Sequence, residues 1–213
     1  VIAVVLLGAM LTGPIGAEKP RVPPPPKAAQ AYEMVDAHAR EKVTIAAEPG
    51  DTKAARPDTR LDYYGHGMMP IRVIVTNDSE STVTLDDARI HLIAADNTVI
   101  QAATLDDLQR RLFTVKSATG TKLPLGLPIP ITVGKKNIDK KITQDDQDFS
   151  FQTTEIKPHT TVAGWLFYDM EGSPSPFLEH ATLELKRVRL AGTGQVLDTF
   201  EVPLHPAREA TQP

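Results

Sequence analysis

Over residues 43–204 the chain reads as short runs in which apolar and polar positions alternate, the two-residue period of strands with one buried face. Val43 and Ile45 alternate with Thr44, and Pro49-Gly50-Asp51 ends that run in turn chemistry. Ile71, Val73 and Val75 share one face, Arg72, Ile74 and Thr76 the other, and Asn77-Asp78-Ser79 closes the run. Val83 with Leu85, then Ala88, Ile90 and Leu92, and later Ala181, Leu183 and Leu185, repeat the pattern, with Phe149 and Phe151 as a shorter instance. Val196, Phe200, Val202 and Leu204 fall on one face of the last run. Residues 161–169 (TVAGWLFYD) are apolar on both faces, which predicts the most central strand. The apolar parity flips between Leu185 and Val188, which predicts a β-bulge near Lys186-Arg187. Seven or eight short strands separated by turns predict a mainly β fold, an antiparallel β-sandwich.

One helix interrupts the series. Thr104-Leu105-Asp106-Asp107 has the form of a capping box with Asp in place of Glu, and Leu105, Leu108 and Leu112 mark one apolar face, so a short helix is expected to about Phe113. It opens a long proline-rich insertion over residues 104–148, which contains LPLGLPIPITV. There Leu123, Leu125, Leu127, Ile129, Ile131 and Val133 alternate with Pro124, Gly126, Pro128, Pro130 and Thr132. Three prolines remove ladder donors, so the segment is expected as an edge or polyproline-like arm with one apolar row. The row either seals an open end of the sandwich or docks a second protein, and its six aliphatic residues are the candidate partner-binding set.

The start of the chain differs in kind. Residues 1–11 are an apolar, uncharged run too short to span a bilayer, Gly13 and Pro14 break it, and Gly16 and Ala17 offer small residues for cleavage. This predicts a signal peptide over residues 1–17, with a membrane anchor as the alternative, and so an extracytoplasmic location, periplasmic or secreted. Residues 18–42 then form a linker and arm: Pro23-Pro24-Pro25-Pro26 must be polyproline II, a stiff spacer, and residues 28–42 carry helix formers without a sustained apolar stripe. The sandwich domain is assigned to residues 43–206, and residues 207–213 are expected as a disordered tail.

Composition narrows the function. With 41% hydrophobic residues but one Trp, four Tyr and six Phe, the core must be mostly aliphatic. The net charge of −4, without a basic block, argues against a nucleic-acid partner. There is no cysteine, hence no disulfide, no thiol nucleophile and no lipid-attachment motif. No G-x-S-x-G elbow, phosphate-binding loop or dinucleotide fingerprint is present, and Ser173 and Ser175 sit in a proline-rich loop with no nearby His in sequence. Carboxylate pairs for glycoside hydrolysis converge only in space, so a carbohydrate-active enzyme is one alternative. In Tyr63-Tyr64-Gly65-His66-Gly67-Met68-Met69, the residues His66, Met68 and Met69 are soft ligands for a periplasmic copper site, set against a glycine turn whose methionines plug the sandwich. The six histidines are scattered without metal-ligand spacing, and Asp145-Asp146-Gln147-Asp148 lacks the Gly and Glu of an EF-hand and reads as an acidic surface loop. Asn77-Asp78-Ser79 fits both a glycan acceptor and a turn. No cofactor is expected.

Three segments carry a resemblance. The strand end VIVTNDS (73–79), the stretch Leu85-Asp86-Asp87-Ala88-Arg89-Ile90, and IKPHTTVAGWLFYDMEG (156–172) resemble immunoglobulin-like modules of exported bacterial cell-envelope proteins, over about residues 43–204. The resemblance implies an immunoglobulin-like sandwich and no catalytic residues, and the 104–148 insertion departs from the minimal module. The reading from sequence is therefore a non-enzymatic binding or scaffold module. Its partner is another envelope or extracellular protein, and it meets a membrane only through the N-terminal segment if that is retained.

Overall fold

In the computed structural model, which describes residues 19–118, 131–173 and 175–205, the alternating runs become strands. In chain order these are β1 (Met34–His38), β2 (Val43–Pro49), β3 (Met68–Asn77), β4 (Val83–Thr84), β5 (Arg89–Ile93) and β6 (Val99–Gln101). Two helices follow, α1 (Leu105–Ala118) and α2 (Ile131–Phe149), then β7 (Glu155–Ile156), β8 (Thr160–Asp169), β9 (Thr182–Lys186), β10 (Arg189–Leu190) and β11 (Phe200–Pro203). One sheet has the order β1-β2-β3-β8, a second β11-β9-β5-β6, and a small third β10-β4-β7. Every pairing is antiparallel. The fold is mainly β, an antiparallel sandwich with a helical insertion.

The strand period decides what lies inside. Met69, Ile71, Val73 and Val75 of β3 join Val43 and Ile45 of β2, and Leu183, Leu185, Phe200 and Val202 of the facing sheet, in one apolar core. The alternate residues of β3 point the other way, yet all ten of its positions are buried. Met68 meets Leu108 and Leu112 of α1 and Ile138 and Ile142 of α2, while Ile74 meets Ala29 and Ala46. The outer face of this sheet is therefore covered by the helices at one end and by the N-terminal segment at the other.

Several expectations change accordingly. β8 lies at the edge of its sheet rather than at its centre. It is apolar on both faces because Trp165 and Phe167 pack under the helices while Tyr168 faces the sandwich core. Its glycine is required: a Cβ on Gly164 would lie 2.5 Å from the backbone nitrogen of Phe151, where the chain leaving α2 crosses the strand. Asp145-Asp146-Gln147-Asp148 is not a surface loop but part of α2, and Phe149 ends that helix instead of forming a strand. Ile131 and Val133 are in the first turn of α2, so the extended arm does not run through them, while residues 119–130 lie outside the described residues. α1 runs on to Ala118, with its capping box formed: Asp107 N–H donates to Thr104 Oγ1 at 3.2 Å, and the Asp107 carboxylate accepts from Thr104 N–H at 3.0 Å. Val196 is 49% exposed and does not share the buried face of Phe200, Val202 and Leu204. At Arg187 the backbone takes φ 62°, and the chain passes from β9 to β10 in a different sheet. Residues 28–42, read as an arm, contribute β1, in register with β2 from Met34 opposite Ala47 to His38 opposite Val43.

Candidate functional site

Between β2 and β3 the chain makes a long excursion that starts at Gly50 and ends at Gly67, whose φ of 82° closes a short turn before β3. This excursion, α2 and the N-terminal segment meet around one arginine. The Arg60 guanidinium, its side chain 2% exposed, lies 2.9 Å from Asp145 and 2.7 Å from Asp148. Arg60 N–H also donates to both oxygens of Asp145 at 3.0 Å, and Tyr63 Oη donates to Asp145 Oδ2 at 3.2 Å. Buried charges are tolerated only when paired and hydrogen-bonded in this way. Burial works against the Asp148 carboxylate, but the N–H of Arg21 and the guanidinium of Arg60 outweigh it and hold its ionisation below the usual carboxylate range. Burial, and then the charge of Asp145, push the Tyr63 phenol far up. The cluster fastens α2 to the excursion, and its titratable groups are occupied with one another.

The N-terminal segment is fastened there too. Arg21 N–H donates to Asp148 at 2.9 Å, and its guanidinium donates to the carbonyls of Asp58 and Thr59 at 2.8 and 2.9 Å. Lys19 O accepts from Arg60 at 3.2 Å, and Pro24 O accepts from Arg72 at 2.5 Å. Farther on, Ala29 N–H donates to Thr76 Oγ1 at 2.8 Å. A polyproline II chain has no internal hydrogen bonds, so its carbonyls and its few N–H groups find partners outside it. Expected from its prolines as a stiff spacer, the segment is instead a strap laid across the outer face of the β1-β2-β3-β8 sheet.

Strap, excursion and sheet enclose a groove of about 390 Å³. Its floor is set by register: Arg72 on β3 lies opposite Glu48 on β2 and opposite Trp165 on β8. Arg72 is 6% exposed, Trp165 6% and Phe149 4%. The strap residues Val22, Pro23 and Pro24 form one wall and Ala54, Ala55 and Pro57 the other. Glu48 is the ion partner of Arg72, at 3.5 Å and 45% exposed, so the guanidinium has one loose ionic contact and one carbonyl. Two larger hollows are more open. One, of about 440 Å³ beside α1, is lined by Arg110 and Arg111, which are engaged by Asp107, Asp169 and Glu171. The other, of about 560 Å³, runs along the excursion, where Arg56 stacks 3.5 Å above the Tyr64 ring.

The residues singled out by sequence are dispersed. Met68 packs under the helices and Met69 in the sandwich core, on opposite faces of β3. His66 Nδ1 is 2.6 Å from the carbonyl oxygen of Asp62. The three do not converge as a copper site. Among the described residues no group of three or more His, Asp or Glu side chains is placed to hold a metal ion. Of the alternating apolar row, Leu123, Leu125, Leu127 and Ile129 lie outside the described residues. Asn77 is fully buried; its amide donates to Ser81 O at 2.8 Å and Ile156 O at 2.9 Å and accepts from Ser79, so it is a turn anchor with no nitrogen left for a glycan. Arg60 and Arg72 were not singled out. The signal for Arg72 was a charge within the apolar run Ile71-Arg72-Val73-Ile74-Val75; for Asp145 it was an acid standing in the helical stripe of Ile138, Ile142 and Phe149.

No protein-family model matches the chain, and no curated protein matches it. Among solved structures, a functionally unknown protein from Listeria monocytogenes EGD-e is 12% identical with a TM-score of 0.36, over 76% of this chain and 77% of that one. The secreted protein MPT63 from Mycobacterium tuberculosis is also 12% identical, with a TM-score of 0.31, over 87% of this chain and 99% of that one. Likeness at this level carries no argument about the site. Among the described residues no helix is long and apolar enough to cross a membrane.

Proposed function

We propose that this chain is an exported, non-enzymatic binding or scaffold module of the cell envelope, and that it meets a protein partner through the groove between strap and excursion. The observation that carries this reading is the division of labour among its charges. Arg60, Asp145 and Asp148 are consumed in fastening α2, whereas Arg72 stands under an open groove beside an indole, loosely paired. Recognition sites combine such an apolar surface with a few placed polar groups, and Trp and Arg are the residues most often central to binding energy. Export rests on the apolar run at residues 1–11 and the small residues Gly16 and Ala17.

The test is affinity capture from envelope extracts by the tagged full chain, beside an Ala54→Trp variant. Ala54 is an exposed groove wall residue, so the larger side chain fills the groove without entering the core. A partner retained by the wild type and lost by a variant of equal melting temperature is the expected result. Equal capture by both would overturn the groove as the contact surface.

A further inference from the structure

Resting on that reading, the geometry points to a more specific partner: we propose that the groove receives the C-terminal end of a protein chain, with the terminal carboxylate on Arg72 and an apolar last side chain over Trp165. Three observations carry it. The guanidinium of Arg72 is nearly buried, yet among the described residues its bonds go to Pro24 O and, at 3.5 Å, to Glu48. An arginine has five N–H donors in a planar fork suited to two carboxylate oxygens, and with one bond from each terminal nitrogen this one retains three N–H groups at the groove it lines. Beside it Trp165, Phe149, Ala54 and Pro57 present apolar surface, which favours an aliphatic or aromatic group next to the charge.

The third observation is shape. About 390 Å³ is at the small end for a ligand site, and the strap residue Val22 at its wall is 86% exposed. A small acid would be left half in water, whereas a chain end needs only its last residue or two enclosed and continues outward along the strap. Charge balance within the groove agrees: Arg21, Arg56 and Arg72 line it with Glu48 and Asp58, and Asp58 is already held by Arg21 at 3.1 Å. Among the described residues Glu48 is thus the carboxylate that competes with the incoming one for Arg72.

Trp165 is the only tryptophan in the chain, so its fluorescence reports the groove floor directly. The full chain is titrated with the peptide acetyl-Ala-Ala-Leu-Phe as free acid, with the same peptide as C-terminal amide, and with 4-phenylbutyrate. The free acid should change the emission saturably, and the amide should bind roughly tenfold more weakly or worse, the scale of one lost charge-assisted contact. Glu48→Gln, which removes the competitor at an exposed position, should tighten the free acid, and Arg72→Lys should weaken it. No saturable response to the free acid, an amide that binds equally, or a Glu48→Gln variant that binds more weakly would each overturn the proposal. So would 4-phenylbutyrate binding as tightly as the peptide, because the site would then serve small acids. If peptide binding fails while Ala54→Trp still abolishes partner capture, the groove remains the contact surface and only the chain-end assignment falls.

Discussion

At the scale of single residues, the Arg60–Asp145 pair shows how a buried ion pair specifies position. Both side chains are almost wholly out of water, at 2% and 1% exposure; Asp145 depends on Arg60 for its cation, while Arg60 also has Asp148 at 2.7 Å. Pairs of this kind contribute little net stability compared with apolar residues of the same size, but removing one partner is costly. Arg60→Met, which leaves Asp145 buried without its cation, should therefore lower the unfolding free energy by about 3–5 kcal/mol, and Asp145→Ala by less, because Asp148 still pairs Arg60. The double change Arg60→Met with Asp145→Leu should cost far less than the two single changes added together. Urea unfolding of the full chain and a double-mutant cycle read this directly; additive losses would mean that the pair is not coupled. Asp148 adds a pH dependence. Its ionisation is depressed in the folded state, so its contribution to stability is complete above about pH 5, beyond the ordinary carboxylate value, and is lost as pH falls through the depressed value. Asp148→Asn should flatten the acid limb of the stability profile relative to wild type while changing its slope little at pH 8. An unchanged acid limb would place the acid sensitivity elsewhere.

At the scale of elements, the strands were legible and the second helix was not, for a physical reason. The alternations at β2, β3, β5 and β9 are legible because one face of each meets the sandwich core. In α2 the stripe Ile138, Ile142, Asp145 and Phe149 keeps helical spacing, but an acid occupies one of its apolar positions, and the run follows a segment rich in proline. The same acid is what Arg60 needs, so the feature that hid the helix also fastens it. Among the described residues the anchors of the helical pair are Leu108, Leu112, Ile138, Ile142 and Phe149. Replacing residues 122–134 by a short Gly-Ser bridge separates the two roles of the apolar row: a collapse in stability would return Leu123, Leu125, Leu127, Ile129, Ile131 and Val133 to the core. Unchanged partner capture in the same variant would remove them from the partner surface. The strap makes a separate prediction. Polyproline composition does not reveal the docking of this segment, because the contacts are made by its carbonyls, by the N–H of Arg21 and by distant side chains. The amides of Arg21 and Ala29 should be protected from hydrogen exchange, and that of Arg21 should lose protection in Asp148→Ala. Exchange of both at the rate of an unstructured chain in the wild type would mean that the strap is free.

At the scale of the whole molecule, the two faces of the β1-β2-β3-β8 sheet divide the work. The inner face is filled by aliphatic side chains that make the sandwich, and the outer face carries helices, strap and groove. This division explains why two-sided apolarity marked β8, an edge strand, as central: what covers its outer face comes from distant parts of the chain. The proposed recognition surface lies on the covered side of the molecule, away from the exposed edge strand β6 with Val99 at 55% exposure. The central claim is that a partner is met at the groove, and the most direct measurement is photo-crosslinking in the living cell from an unnatural side chain at Ala54, compared with the same side chain at Val99. The account predicts a discrete adduct from position 54 that disappears with Arg72→Lys, and none from position 99. An adduct from position 99 with none from position 54 would contradict it.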